Sequence, residues 1–390
     1  MKQRKKSALV VGALLLVTLL VVWASRGAWE PAVARSLPDG ALHRLVQAWP
    51  GSGAVQLEVG RRAWDAGRLG EAEWAMAAAV ELLPADPAAR AEYTLVLADR
   101  QDMRNAEAAY RELGARFPGS PHERIVEARY RLASEGPGSA APLLRELTER
   151  APELAEAWYL LGYCAAERGA TEEALSAFRR AVRLRPRSGR YHRELGQVLH
   201  RVGQLDAAEA SIRRALELAP SDDATALALA ELLLDRDLSE QKLTEAESLL
   251  QSARTSETLR LAACKALGRV ALARNDWDAA ERAYAEAAQS NGQDPDALYG
   301  LAQALRAKRD PRYSGVLQRF RVAETTQREE RYLRGALKER PNDPETRARL
   351  ARFYHRLGRV AEARAVLTGS SSETPREALS DAFNPQEARR

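Results

Sequence analysis

Two cysteines, Cys164 and Cys264, are the whole thiol content of the 390-residue chain, a count too small for a disulfide framework. Histidine is nearly as scarce. Of the five, His192 and His200 stand eight apart on one predicted helix, two turns distant, so they cannot chelate one ion directly. The chain has no Cys-x-x-Cys pair, no His-Glu-x-x-His, no glycine-rich phosphate loop and no Gly-x-Ser-x-Gly elbow. No catalytic, metal-binding or cofactor-binding residue is therefore assigned, and the sequence is read as that of a non-enzyme. Charge of one sign is also missing. The net charge is +5, and removing Lys2, Arg4, Lys5 and Lys6 leaves +1, so no nucleic-acid partner is expected. Long apolar stretches are absent except one, the uncharged run over residues 7–25.

What the chain has instead is a period. Pro84, Pro118, Pro152, Pro186 and Pro220 recur every 34 residues, with Ala72, Ala106, Ala140, Ala174 and Ala208 each 12 residues ahead. Repetition at this length marks stacked supersecondary units that cannot bury their apolar faces alone. Residues 154–186 show the unit most clearly. Trp158, Leu161 and Ala165 recur at helical spacing, as do Leu175, Phe178 and Val182, with Gly169 and Thr171-Glu172-Glu173 breaking the pattern between them. Gly162 and Ala174 let the two helix axes approach, and Pro186 cannot donate the bond that would continue the second helix.

Trp158, Leu161, Gly162, Ala174, Phe178, Ala181 and Pro186 occupy the signature positions of the tetratricopeptide repeat, which the chain resembles over most of its length after residue 52. The resemblance implies an all-α fold, an α-solenoid winding as a right-handed superhelix of about nine helix-turn-helix units. Units begin at residues 53, 87, 121, 155, 189, 223, 261, 295 and 344, so the solenoid spans 53–367. Insertions fall between the helices of two units, four residues around 237–242 and fifteen around 309–323. In the longer one, Tyr313, Val316, Leu317 and Phe320 form an apolar stripe, read as a short extra helix docked on the solenoid, with an exposed partner hook as the alternative. Glu172-Glu173 and Glu329-Glu330 are placed at the starts of second helices, where they complement the helix dipole.

Residues 1–6 form a basic segment and residues 7–25 a transmembrane anchor. Nineteen residues at about 1.5 Å each nearly match a hydrocarbon core of roughly 30 Å. The cations ahead of the run belong in the cytoplasm, which puts the repeats on the extracytoplasmic side of a bacterial-type inner membrane. A cleaved signal sequence is the alternative, although the run exceeds the usual ~7–15 residues and no Ala-x-Ala precedes Arg26. Repeats on the cytoplasmic side are a third arrangement, opposed by the dispersal of Arg26, Arg35 and Arg44. Residues 26–52 read as a linker and partial cap containing a short helix over 41–49. The tail, 368–390, carries a possible capping helix over 375–383.

By the same resemblance, positions 2, 5, 9 and 12 of each first helix line a concave groove that holds a partner. Those positions supply His122, Arg129, Tyr159, Tyr163, Arg190, Arg193, Gln197, His200, Lys265, Arg269, Tyr299, Gln303, Arg306, Arg352 and His355. Donors and aromatic rings dominate that set, so the expected partner is a protein or peptide, acidic in character. The function this implies is a membrane-tethered scaffold or adaptor in envelope assembly or secreted-protein maturation. Its rivals are a periplasmic or secreted adaptor with its leader removed and, in another class, an enzyme or enzyme subunit. No segment outside the repeats is long enough to be a catalytic domain.

Overall fold

The computed structural model describes residues 26–340 and 343–368 and, among them, consists of twenty helices joined by turns, with no strand. The expected basic segment, the 7–25 span and the 375–383 helix lie outside the described residues. Among the described residues no helix is long and apolar enough to cross a membrane.

The chain divides into two compact units at Asp237/Leu238, inside the shorter of the two expected insertions. In unit 1, α1 (Arg26–Ser36) and α2 (Asp39–Ala48) precede five helix pairs. These are α3 (Gly53–Asp65) with α4 (Leu69–Leu82), α5 (Pro87–Asp99) with α6 (Met103–Arg116), α7 (Pro121–Ser134) with α8 (Pro137–Arg150), α9 (Ala155–Glu167) with α10 (Thr171–Leu184), and α11 (Gly189–Arg201) with α12 (Leu205–Leu218). The single helix α13 (Asp223–Arg236) ends the unit. Unit 2 holds α14 (Glu240–Ala253), then α15 (Arg260–Ala273) with α16 (Trp277–Ser290), α17 (Pro295–Ala307) with α18 (Tyr313–Glu339), and α19 (Pro344–Arg356) with α20 (Val360–Thr368).

Many helices start where a short polar side chain satisfies an orphan backbone N–H, whereas α9 and α15, preceded by Leu154 and Leu259, have no such cap. Ser52, Asp86, Ser120, Ser188, Asp222, Asp276, Asp294 and Asp343 all accept such a bond at 2.8–3.4 Å. Proline, whose missing N–H costs nothing there, follows at Pro87, Pro121, Pro295 and Pro344. The reversal between first and second helix needs a left-handed residue. Gly169 (φ 75°) and Gly203 (φ 76°) provide it, whereas Gln101 (φ 63°), Asn275 (φ 59°) and Arg309 (φ 55°) adopt it without glycine. Within a pair the small residue of the first helix faces a large one on the second. A Cβ on Gly162 would stand 2.9 Å from the Phe178 ring, and Tyr284 of α16 lies wedged against both Gly268 and Gly300.

Three differences from the sequence reading have local causes. Residues 26–52 are not a linker with one helix but two helices, and Ala34 and Leu42 pack with Val55, Val59 and Ala75 to cover the first pair. Pro31 lies inside the first of these two helices, where it forfeits one backbone bond. The fifteen-residue insertion is not a separate helix. From Tyr313 onward its residues run past Gly315, with no proline to stop them, into the expected second helix, so α18 is 27 residues long. Glu329 and Glu330 consequently sit inside α18 and not at a helix start. There they bond Arg356 (2.7 Å) and Arg359 (2.8 Å). The apolar stripe does dock: Tyr313 and Val316 pack on Leu301, Ala304 and Leu305 of α17.

Candidate functional site

In unit 1 the first helices curl until the end of α3 meets the start of α11. Ser188 caps α11 and also donates its hydroxyl to Asp65 Oδ1 at 2.9 Å, across 123 residues of chain. Arg185 Nη2 reaches Asp65 Oδ2 at 3.5 Å, and Arg190 Nε stands 3.7 Å from Oδ1. The Arg190 guanidinium lies 4.0 Å from the Trp64 ring and 4.4 Å from Tyr159, and donates to Glu156 at 2.8 Å. Tyr191 donates its phenol to the same Glu156 oxygen at 2.7 Å. Burial, reinforced by Glu156, pushes the Tyr191 phenol well above its ordinary range and keeps it a donor. This contact set is called the clasp below.

Behind the clasp is a chamber of about 300 Å³. Ala88, Ala91, Leu95, Ile125, Leu154 and Leu184 form its apolar wall. Opposite them Arg61 holds Glu92 through two parallel bonds of 2.6 and 2.9 Å, with His122 and Arg185 on the same lining. Burial would raise the Glu92 carboxyl, but Arg61 and Arg185 outweigh it and hold the group below the usual carboxylate range. Burial depresses His122 more than Glu92 raises it, so the imidazole stays neutral at pH 7. Arg62 is saturated, binding Glu58 at 2.9 Å and the carbonyls of Ala34, Arg35 and Leu37 at 2.7–3.2 Å.

Unit 2 offers a different surface. Tyr299 of α17 is 48% exposed and stacks obliquely on Phe320 of α18, ring centroids 5.2 Å apart. The two rings border a solvent-facing recess of about 360 Å³, ringed by Asp296, Glu324, Gln327 and Arg331. Tyr299 reaches this place because α18 carries the extra residues that bring Phe320 alongside it.

The structure sorts the expected groove residues into three groups. His122, Tyr159 and Arg190 belong to the chamber and its clasp. A second group faces an acid of an adjoining helix pair or helix: Arg129 with Asp99 (2.9 Å), Arg193 with Asp222 (2.6 Å), His200 with Asp235 (3.0 Å) and Lys265 with Asp294 and Asp296 (3.3 and 3.1 Å). Arg269, half-buried, is engaged within the chain as well, as is the exposed His355. Exposed or half-exposed surface remains at Tyr163, Gln197, Tyr299, Gln303 and Arg306, and Arg352 donates to its own helix at Ala348. Among the described residues no group of three or more His, Cys, Asp or Glu converges on a metal-sized site. Cys164 and Cys264 are free and buried, and burial raises each thiol to about 11.

Sequence reasoning passed over Asp65, Glu92, Ser188, Arg61, Trp64 and Glu156. The signal for three of them was present: the same positions 2, 5, 9 and 12 fall on Arg61 and Trp64 in the first repeat and on Glu156 in the fourth. Counting donors alone concealed that acids interleave with them.

Family models for the tetratricopeptide repeat match residues 125–189, 171–223 and 265–311, and a second such model matches 330–382, together just over half of the chain. No curated protein matches the sequence. Among solved structures, the Cut9–Hcn1 hetero-tetramer of APC/C is similar with a TM-score of 0.59 at 17% identity, over 78% of this chain and 56% of that one. This chain thus spans about half the length of that relative. The apo quorum sensor NprR of B. thuringiensis gives a TM-score of 0.52 at 12% identity, over 76% and 98% of the two chains. Pseudomonas aeruginosa pilF gives 0.45 at 18% identity, over 56% and 97%. Identities this low speak for the fold alone. Repeats matched by two family models over just over half of the chain and helix pairs at the same period agree, and the chain belongs to the tetratricopeptide repeat proteins.

Proposed function

We propose that the chain is a non-catalytic scaffold that holds a partner polypeptide, with the Tyr299–Phe320 recess of unit 2 as its anchoring point. The observation that carries this reading is the exposed aromatic pair itself. A tyrosine 48% exposed, backed by a phenylalanine and surrounded by hydrogen-bonding side chains, has the make-up of an interface anchor with a polar rim. The partner segment presents an apolar side chain to the rings, and Asp296, Glu324, Gln327, Arg328 and Arg331 around them meet polar groups flanking it. Residues 7–25 tether the scaffold to an inner membrane, with the repeats on the extracytoplasmic side and a role in envelope assembly or secreted-protein maturation. The charge asymmetry around the apolar run supports that placement.

A photo-crosslinking residue placed at Tyr299 in native membranes tests the anchor. One discrete partner adduct is expected, absent when the probe is moved to the exposed Arg214 on α12, and Phe320→Ala lowers its yield about tenfold or more. Equal adducts from both positions would remove the reading. The mass of the mature N-terminus tests the tether separately, since a start near Ser25 would make the protein a released adaptor.

A further inference from the structure

The chamber of unit 1 is not used by the recess reading, and its chemistry points to a ligand of its own. At about 300 Å³ it is at the small end of pockets that enclose whole ligands, and the Asp65 clasp shuts off one side. An extended polypeptide running past the first helices does not fit behind that barrier. A compact molecule, or the end of a chain, does.

The polar wall is rich in donors. A guanidinium carries five N–H groups, and Arg61 commits two of them to Glu92. Arg185 makes two hydrogen bonds, to the Tyr191 hydroxyl at 3.4 Å and to Asp65 at 3.5 Å, both at the long limit of such contacts. His122 makes no hydrogen bond among the described residues, and its ring lines the same wall. The carboxylates, by contrast, are engaged. Both Glu92 oxygens receive Arg61, both Asp65 oxygens are bonded, and Glu156 receives Arg190 and Tyr191. Glu153 at the rim is the exception, with no hydrogen bond among the described residues. The lining balances in charge, with five guanidinium groups (Arg35, Arg61, Arg62, Arg185, Arg187) against five carboxylates (Glu58, Asp65, Glu92, Glu153, Glu156), so the bias toward an anion lies in the uncommitted donors.

We propose that the unit 1 chamber binds a monocarboxylate with an apolar body, its carboxylate against Arg185, Arg61 and His122 and its body on Leu95, Ile125 and Leu184. A free organic acid and the carboxyl end of a peptide share this chemistry.

Calorimetric titration of the full chain with hexanoate, hexanamide, phenyl phosphate, and a short leucine-terminated peptide with a free or an amidated end tests the proposal. Binding of hexanoate assigns a small acid, and binding of the free-ended peptide alone assigns a chain end. Either result requires that the matching amide fail to bind. Arg185→Gln is expected to lower the affinity at least tenfold. His122→Gln, which keeps a polar side chain of similar reach at a partly buried position, is expected to weaken it measurably, while Arg282→Gln on the exposed face of α16 in unit 2 leaves it unchanged. Amides binding as well as acids, phenyl phosphate binding more tightly than hexanoate, unchanged affinity in both chamber variants, or no binding of any probe at millimolar concentration would each overturn it. Partner adducts at Tyr299 persist in Arg185→Gln in every case, so failure here is distinguishable from failure of the scaffold reading.

Discussion

Asp65 is a single carboxylate on which the closure of unit 1 depends. Its side chain is buried, and it receives Ser188, Arg185 and Arg190 from a part of the chain more than a hundred residues away. Removing it leaves cationic groups facing a cavity. Asp65→Ala is therefore expected to destabilise the α10–α11 junction by on the order of 1.5–3 kcal/mol, the usual worth of hydrogen bonds to charged groups. Arg190 retains Glu156, which keeps the effect local. Amide hydrogen exchange at α11 should accelerate by at least tenfold while exchange in unit 2 is unchanged. The pH response is also a residue property. Burial lowers the pKa of His122 and of His192, so the unfolded chain takes up protons near pH 6.5 that the folded rings refuse. Stability held above that pH is lost as it falls. Glu92, also depressed, adds a second loss below the usual carboxylate range. Melting temperature followed against pH should decline from about pH 6.5 downward, and His122→Phe should flatten the first part of that decline. Individual residues were the least legible part of the sequence. The template located Arg190 and Tyr159 on the inner face, but nothing in a 34-residue period indicates that the fifth repeat returns to touch the first.

Elements were far more legible, because each helix pair carries its own instructions. Caps at Ser52, Asp86, Asp222 and Asp294, and prolines two residues beyond the second helices, fix both ends of a unit without reference to its neighbours. What failed was the absence of punctuation. With no proline between residues 313 and 339, and glycine only singly at 315 and 335, α18 simply continues, and a docked short helix becomes the opening turns of a long one. Turn chemistry gives two further expectations. Gln101 pays the left-handed penalty of roughly 1–2 kcal/mol that its glycine counterparts avoid. Gln101→Gly should accordingly raise stability by about 0.5–1 kcal/mol in denaturant melts, after allowance for glycine's greater unfolded freedom. In the opposite sense, Gly162→Val would drive a side chain into Phe178 and should cost about 1–3 kcal/mol. Unchanged melts in either variant would contradict the packing described.

At the scale of the molecule, the repeat family and the all-helical class followed from the period together with the signature residues of the repeat it resembles, while the division at Asp237/Leu238 did not. A four-residue insertion was visible there, but an insertion tolerated as a surface loop and one that separates two compact units look alike in sequence. The groove was expected to be cationic along its length. Instead, inner charges are largely matched by acids of adjoining helices, and what remains is a chamber in unit 1, shut on one side by the clasp, and an aromatic recess in unit 2. Closure is the claim on which the chamber stands, and cysteines in place of the two touching side chains test it most directly. In Asp65→Cys/Ser188→Cys the native thiols Cys164 and Cys264 stay buried, so mild oxidation should link residues 65 and 188 and give one fast-migrating, reductant-sensitive band in nearly full yield. Two thiols that remain separately reactive, with no internal link, would contradict the contact between the end of α3 and the start of α11.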